Sequence, residues 1–185
     1  AALIDLDLDG RLDIVLSGIR TAPYVFRNNG NLRFSRLCYG AGMVQNEALT
    51  WAVVGGDLNG DAWPEVYISH GLGRRPRENN LFLNVVSEAL IEERHWLTVE
   101  AMGLIQNPSA IGAKVEVLGD DGLLRTRWVG TWSNFDSQAP LPITFGMGGA
   151  TRAAVTVTFT DGSVVSMSDV AVDQHLVVVE IKEMT

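Results

Sequence analysis

Apolar residues along this chain come in short runs, many alternating with polar ones, and Gly, Asn and Asp separate the runs. That pattern predicts strands joined by turns. Ala1–Ile4 and Leu12–Leu16 flank an acidic segment, and Trp51–Val54 and Glu65–Ser69 flank another. Tyr24–Arg27 leads into Asn28-Asn29-Gly30-Asn31, where Asn and Gly accept positive φ, and Leu32–Phe34 is the predicted return strand. Asn79–Asn84 echoes Tyr24–Asn29, so the order strand, acidic loop, strand, linker, strand occurs once in full and once shortened. Val85–Arg94 is the one helical or irregular stretch and reads as a connector. Beyond it six strands are predicted: Trp96–Met102, Ala113–Leu118, Leu124–Val129, Ala154–Phe159, Val164–Met167 and His175–Ile181. Turn signals at Asp121-Gly122, Gly148-Gly149 and Asp161-Gly162 separate them. Six short strands suggest a small sandwich or barrel. The boundary is placed near residue 94, giving domains 1–94 and 95–185.

The two acidic segments share one spacing. Asp5-Leu-Asp7-Leu-Asp9-Gly10-Arg-Leu-Asp13 and Asp57-Leu-Asn59-Gly-Asp61-Ala62-Trp-Pro-Glu65 both put side-chain oxygens at loop positions 1, 3, 5 and 9. Alternation of this kind aims several hard oxygens at one point, as calcium requires. An EF-hand begins in the same way but needs a carboxylate at position 12, where this chain has Leu16 and Ile68. Strand formers follow both loops, not an amphipathic helix. The spacing therefore predicts calcium loops between strands. The predicted ligands are Asp5, Asp7, Asp9 and Asp13 with the Arg11 carbonyl, and Asp57, Asn59, Asp61 and Glu65 with the Trp63 carbonyl. Ala62 and Asn59 make the second loop less permissive and less charged, so it is expected to bind more weakly or to be partly vestigial. Affinities of about 10⁻⁴–10⁻³ M are expected for sites of this kind. Asp121-Gly122 and Asp161-Gly162 are read as turns alone.

Composition narrows the partners. Lys and Arg number 14 against 22 Asp and Glu, and the net charge of −8 disfavours nucleic acid, whose phosphates need clustered cations. Arg74-Arg75-Pro76-Arg77 is read as a solvated turn. Cys38 is the single cysteine, so no intrachain disulfide exists, and it is read as a half-buried strand residue. No run approaches the ~18 apolar residues of a membrane helix. The chain begins at Ala1 and not at Met, four residues before an acidic loop, and the N-terminus is read as cut.

The loops with their flanks, ALIDLDLDGRLDIVLSG and AVVGGDLNGDAWPEVYISHG, resemble the FG-GAP or VCBS repeat of integrin-α-type β-propellers. Phe26 to Phe34 is similar to the strand-turn-strand of that repeat. The remainder resembles the ASPIC/UnbV domain that follows such repeats in cartilage acidic protein and many bacterial secreted proteins. The matching pieces are His95-Trp96-Leu97, Asn107, Ala110 to Val115, Ser137-Gln138, Phe145 to Gly148 and Val172-Asp173-Gln174. One departure is Phe159-Thr160-Asp161-Gly162, where the family has a Trp-Pro-x-Gly turn; the aromatic and the glycine survive, so the hairpin is expected to survive too. The resemblance implies an all-β chain: a partial β-propeller of about one and a half calcium-loop blades, then a small C-terminal β-sandwich or barrel. It also implies a truncated propeller and an extracellular or cell-envelope adhesion or scaffold role, with a protein or glycan partner at a cell surface or matrix.

No catalytic constellation is found. His70, His95 and His175 lie far apart in sequence without metal-ligand spacing and are read as packing or surface residues. Gly146-Met147-Gly148-Gly149 is too short for a phosphate loop, and no Gly-x-Ser-x-Gly elbow is present. Trp128 and Trp132 are the best candidates for a carbohydrate platform, although core packing is favoured for both. The leading expectation is a non-enzymatic calcium-binding module. The alternatives are the non-catalytic end of a secreted polysaccharide-acting enzyme and a glycan-binding module.

Overall fold

The structure, a computed structural model, describes residues 1–18, 21–37, 50–71, 78–104, 106–131, 133–134 and 137–181. Cys38, Arg74-Arg75-Pro76-Arg77 and Trp132 lie outside the described residues. The chain divides into two compact units. The first comprises residues 1–6, 11–85 and 132–139, and the second residues 7–10, 86–131 and 140–185.

The first unit holds two antiparallel meanders. β1 (Ala2–Ile4), β2 (Asp13–Gly18), β3 (Thr21–Asn28) and β4 (Phe34–Leu37) lie side by side in that order. β5 (Thr50–Gly56), β6 (Glu65–His70) and β7 (Asn80–Phe82) form the other sheet, also in chain order. Period-two alternation sends Ile4, Val15 and Val25 to one face of the first sheet, where they pack with Val53, Val66 and Ile68 of the second. The return strand starts at Phe34, not at the predicted Leu32. Asn31 and Leu32 take positive φ (50° and 55°), and Arg33 N–H bonds to the Gly30 carbonyl, so the turn runs two residues longer.

The second unit opens with the short helix α1 (Glu88–Glu93), capped by Ser87, whose hydroxyl accepts the Leu90 N–H. It buries no residue, as fits a connector. β8 (His95–Met102), β9 (Lys114–Gly119) and β10 (Leu124–Trp128) follow. A small ladder, β11 (Ser133–Asn134) with β12 (Ser137–Gln138), falls within the first unit. β13 (Ile143–Gly148), β14 (Arg152–Thr158), β15 (Val164–Ala171) and β16 (Gln174–Val179) complete the chain. One sheet has the order β10-β9-β14-β15 and the other β13-β8-β16, with β16 parallel to β8. Both sheets are open, and residues of both enter one core, which makes a sandwich and not a barrel. Val115 and Val117 of β9 pair across to Val157 and Val155 of β14, and all four are fully buried.

β13 is missing from the six predicted strands. Gly146 and Gly148 weaken its strand signal, and the register with β8 shifts between them. Burial decides the matter: Phe145 and Met147 are almost wholly enclosed, and Phe145 sits opposite Leu97. The Phe159 to Gly162 departure does keep its hairpin. Phe159 N–H bonds to the Ser163 carbonyl, Gly162 takes φ +93°, and β14 pairs antiparallel with β15.

Candidate metal centre

Loops 5–13 and 57–65 share a backbone frame. Position 4 is left-handed in both (Leu8 φ 51°, Gly60 φ 83°), and so is position 6 (Gly10 φ 88°, Ala62 φ 71°). The carboxylate at position 9 closes each loop onto the N–H of position 2. Asp13 Oδ2 accepts from Leu6 at 3.1 Å, and Glu65 Oε2 accepts from Leu58 at 2.8 Å. Both carboxylates are buried. A charged acceptor on a backbone N–H makes a strong brace for a turn.

Sequence reasoning missed one pair of residues in this frame. Asn28 Nδ2 donates to the carbonyl of Leu12 at 3.0 Å, and Asn84 Nδ2 donates to the carbonyl of Pro64 at 3.3 Å. These carbonyls occupy position 8 of each loop, and the two asparagines stand two residues after Phe26 and Phe82. The echo between Tyr24–Asn29 and Asn79–Asn84 is the sequence signal for their shared role. Asn28 also donates its backbone N–H to Asp13 Oδ1 at 2.8 Å, and Asn84 reaches the Leu6 carbonyl at 2.8 Å.

The first loop brings three of its predicted ligands together. One carboxylate oxygen from each of Asp5, Asp7 and Asp9 lies within 4.8 Å of the others. Two oxygens that are each about 2.4 Å from a calcium ion stand at most about 4.8 Å apart, so the donor set fits that ion. Asp5 and Asp9 are each 7% exposed, and both oxygens of Asp7 are shielded from solvent. Three carboxylates this close repel by roughly 3 kcal/mol per pair at an effective dielectric near 20. A divalent cation among them turns that repulsion into attraction. Asp13 accepts the backbone N–H groups of Leu6 and Asn28, and Arg11 extends its Nε to the Asn28 carbonyl at 3.1 Å.

The tip of this loop belongs to the second unit. Leu8 is 1% exposed, and its carbonyl accepts the Gly148 N–H at 2.9 Å. Gly10 lies against Arg125, and a Cβ there would fall 2.5 Å from the guanidinium Nε. Arg125 is fully enclosed, ion-paired with Asp121 at 2.8 Å and bonded to the Leu123 carbonyl at 2.9 Å. Burial alone would raise the Asp121 pKa. The hydrogen bond from Arg125, the Leu123 N–H and the Arg125 charge outweigh it and hold that carboxyl below its ordinary value.

In the second loop Asp57, Asp61 and Glu65 accept hydrogen bonds from within the loop, and among the described residues the converging group of three acids is the one at Asp5, Asp7 and Asp9. Trp63 is buried and donates its N–H to Asp61 Oδ1 at 2.8 Å.

The remaining candidates are placed elsewhere. His70 bonds Asn80 at 2.6 Å, His95 pairs with Asp173 at 2.7 Å, and His175 pairs with Glu100 at 3.0 Å. Trp128, for which core packing was favoured, is 46% exposed at the end of β10, where Arg125 is the buried residue. Among the described residues, no helix is long and apolar enough to cross a membrane.

Residues 5–68 match the family model of the FG-GAP-like repeat, and residues 103–184 match that of ASPIC and UnbV. None of the curated proteins compared with the chain matches it.

Proposed function

We propose that this chain, an FG-GAP-like repeat followed by an ASPIC/UnbV domain, is a non-catalytic module of an extracellular or cell-envelope protein, stiffened by calcium at its first acidic loop. The observation that carries this reading is the convergence of Asp5, Asp7 and Asp9 in a loop whose backbone is already braced by Asp13 and Asn28. Bound there, calcium supplies charge neutralisation and rigidity. The residues do the rest: Asp13 holds the turn closed, Gly10 permits its reversal, and the three aspartates contribute the negative field. Such a module presents strands and loops to a protein or glycan partner, an adhesion or scaffold task.

The test is thermal unfolding of the chain in 10 mM calcium and in EDTA. For an affinity of 10⁻⁴–10⁻³ M, binding to the native state contributes about 1.4–2.7 kcal/mol, or a rise of about 3–10 °C. Asp7→Asn is expected to abolish the rise. An equal melting temperature in both buffers removes the calcium reading. A second reading, glycan binding, is favoured by the exposed Trp128 ring. It predicts glycan-array signals that Trp128→Ala loses, and a blank array for the native chain leaves it without support.

A further inference from the structure

Loop 57–65 has the backbone of a metal loop, and every side-chain oxygen at its positions 1, 3, 5 and 9 accepts a hydrogen bond from within the loop. Asp57 Oδ1 accepts the Gly60 N–H at 2.7 Å, and Oδ2 accepts the Ala62 N–H at 2.9 Å. Asp61 Oδ1 accepts the Trp63 N–H at 2.8 Å. Asn59 Oδ1 accepts the Asp61 N–H at 3.0 Å, which sets the orientation of the Asn59 amide. Its Nδ2 then donates to Asp61 Oδ2 at 2.8 Å and to Glu65 Oε1 at 3.3 Å. The amide hydrogens therefore join the acids at positions 5 and 9, which a cation would otherwise join. Glu65, one methylene longer than Asp13, has the reach to meet the amide while its other oxygen holds the Leu58 N–H.

We infer that Asn59 is a built-in substitute for the ion: its side-chain amide closes the second loop without metal, and the chain takes up calcium through the first loop alone. Position 3 makes the difference. Asp7 in the first loop can only accept, so three carboxylates face one another there. Asn59 both accepts and donates. For calcium to enter the second loop, Asn59 would have to turn its oxygen inward. That turn breaks two bonds from Nδ2 and the bond from the Asp61 N–H, and Asn59 itself gives the ion one neutral ligand beside the carboxylate oxygens of Asp61 and Glu65 that the turn frees.

The inference rests on the calcium reading of the first loop for its ion count, and two sets of measurements separate the two claims. Calcium titration of the chain by calorimetry is expected to give one ion for the native protein, none for Asp7→Asn and two for Asn59→Asp. Two ions in the native protein, with one left in Asp7→Asn, overturn the inference and leave the first loop intact. No ion in the native protein sinks the first-loop reading instead, and the inference is then judged in EDTA. There Asn59→Ala strips the donor from Asp61 and Glu65 and is expected to lower the melting temperature by about 2–4 °C. An Asn59→Ala melting temperature equal to the native value overturns the inference whatever the first loop binds. Should Asn59→Asp unfold in EDTA, its recovery in calcium supports the inference, and failure to recover in calcium counts against it.

Discussion

Position 6 of the acidic loops shows how one backbone conformation takes two residues. Gly10 and Ala62 are both left-handed, a conformation that costs a non-glycine residue about 1–2 kcal/mol. Ala62 offsets much of that cost. Its methyl group is buried, worth about 0.8 kcal/mol, and it loses less chain entropy than glycine by about 0.5–1 kcal/mol. The terms nearly cancel, so Ala62→Gly is expected to change stability by less than about 1 kcal/mol in urea unfolding. Gly10 has no such freedom, because the enclosed Arg125 guanidinium fills the space of a Cβ. Gly10→Ala therefore adds a steric clash to the left-handed strain and is expected to cost about 3 kcal/mol or more by the same measurement. A loss for Gly10→Ala no larger than that for Ala62→Gly would contradict the packing argument. The spacing made both loops legible in the sequence. It could not show that Asn59 donates where Asp7 cannot, because that depends on how the amide is turned.

At the scale of elements, the β9–β10 hairpin depends on a buried charge. Arg125 has no exposed side-chain surface, and Asp121, at the turn, is its partner. Removing that partner strands a buried cation, so Asp121→Asn is expected to lose about 2 kcal/mol at neutral pH. The folded-state pKa of Asp121 is depressed. Its contribution is therefore complete above the unfolded carboxylate pKa of about 3.9 and is lost as pH falls through the folded value. Native protein should accordingly lose stability more steeply than Asp121→Asn on acidification below about pH 4. Parallel acid limbs in urea unfolding would exclude this role. Alternation exposed most strands in the sequence, including β9 and β14. It failed at β13, where glycines mask a buried edge, and at Leu32, where the turn overruns an apolar residue.

For the whole molecule, each of the two units carries its own apolar cluster. The larger lies between the sheets of the second unit and includes Val115, Val117, Val155 and Val157, none with measurable exposure. At the other extreme, every residue of β4 is exposed. Native-state hydrogen exchange should follow this order, with the amides of β9 and β14 slowest and those of β4 among the fastest. Comparable protection of β4 and β14 would show that burial does not set local stability here.

The sequence by itself determined the all-β class and the two acidic loops. Periodicity, turn residues and ligand spacing are local properties that neighbours along the chain report. Only the tertiary structure decided which carboxylates converge, that Arg125 lies against Gly10, that Asn28 and Asn84 hold equivalent carbonyls, and that β16 runs parallel to β8. Each of these joins residues across a turn or between distant strands. Side-chain direction, burial and hydrogen-bond saturation settle them, and none of the three is a property of spacing alone.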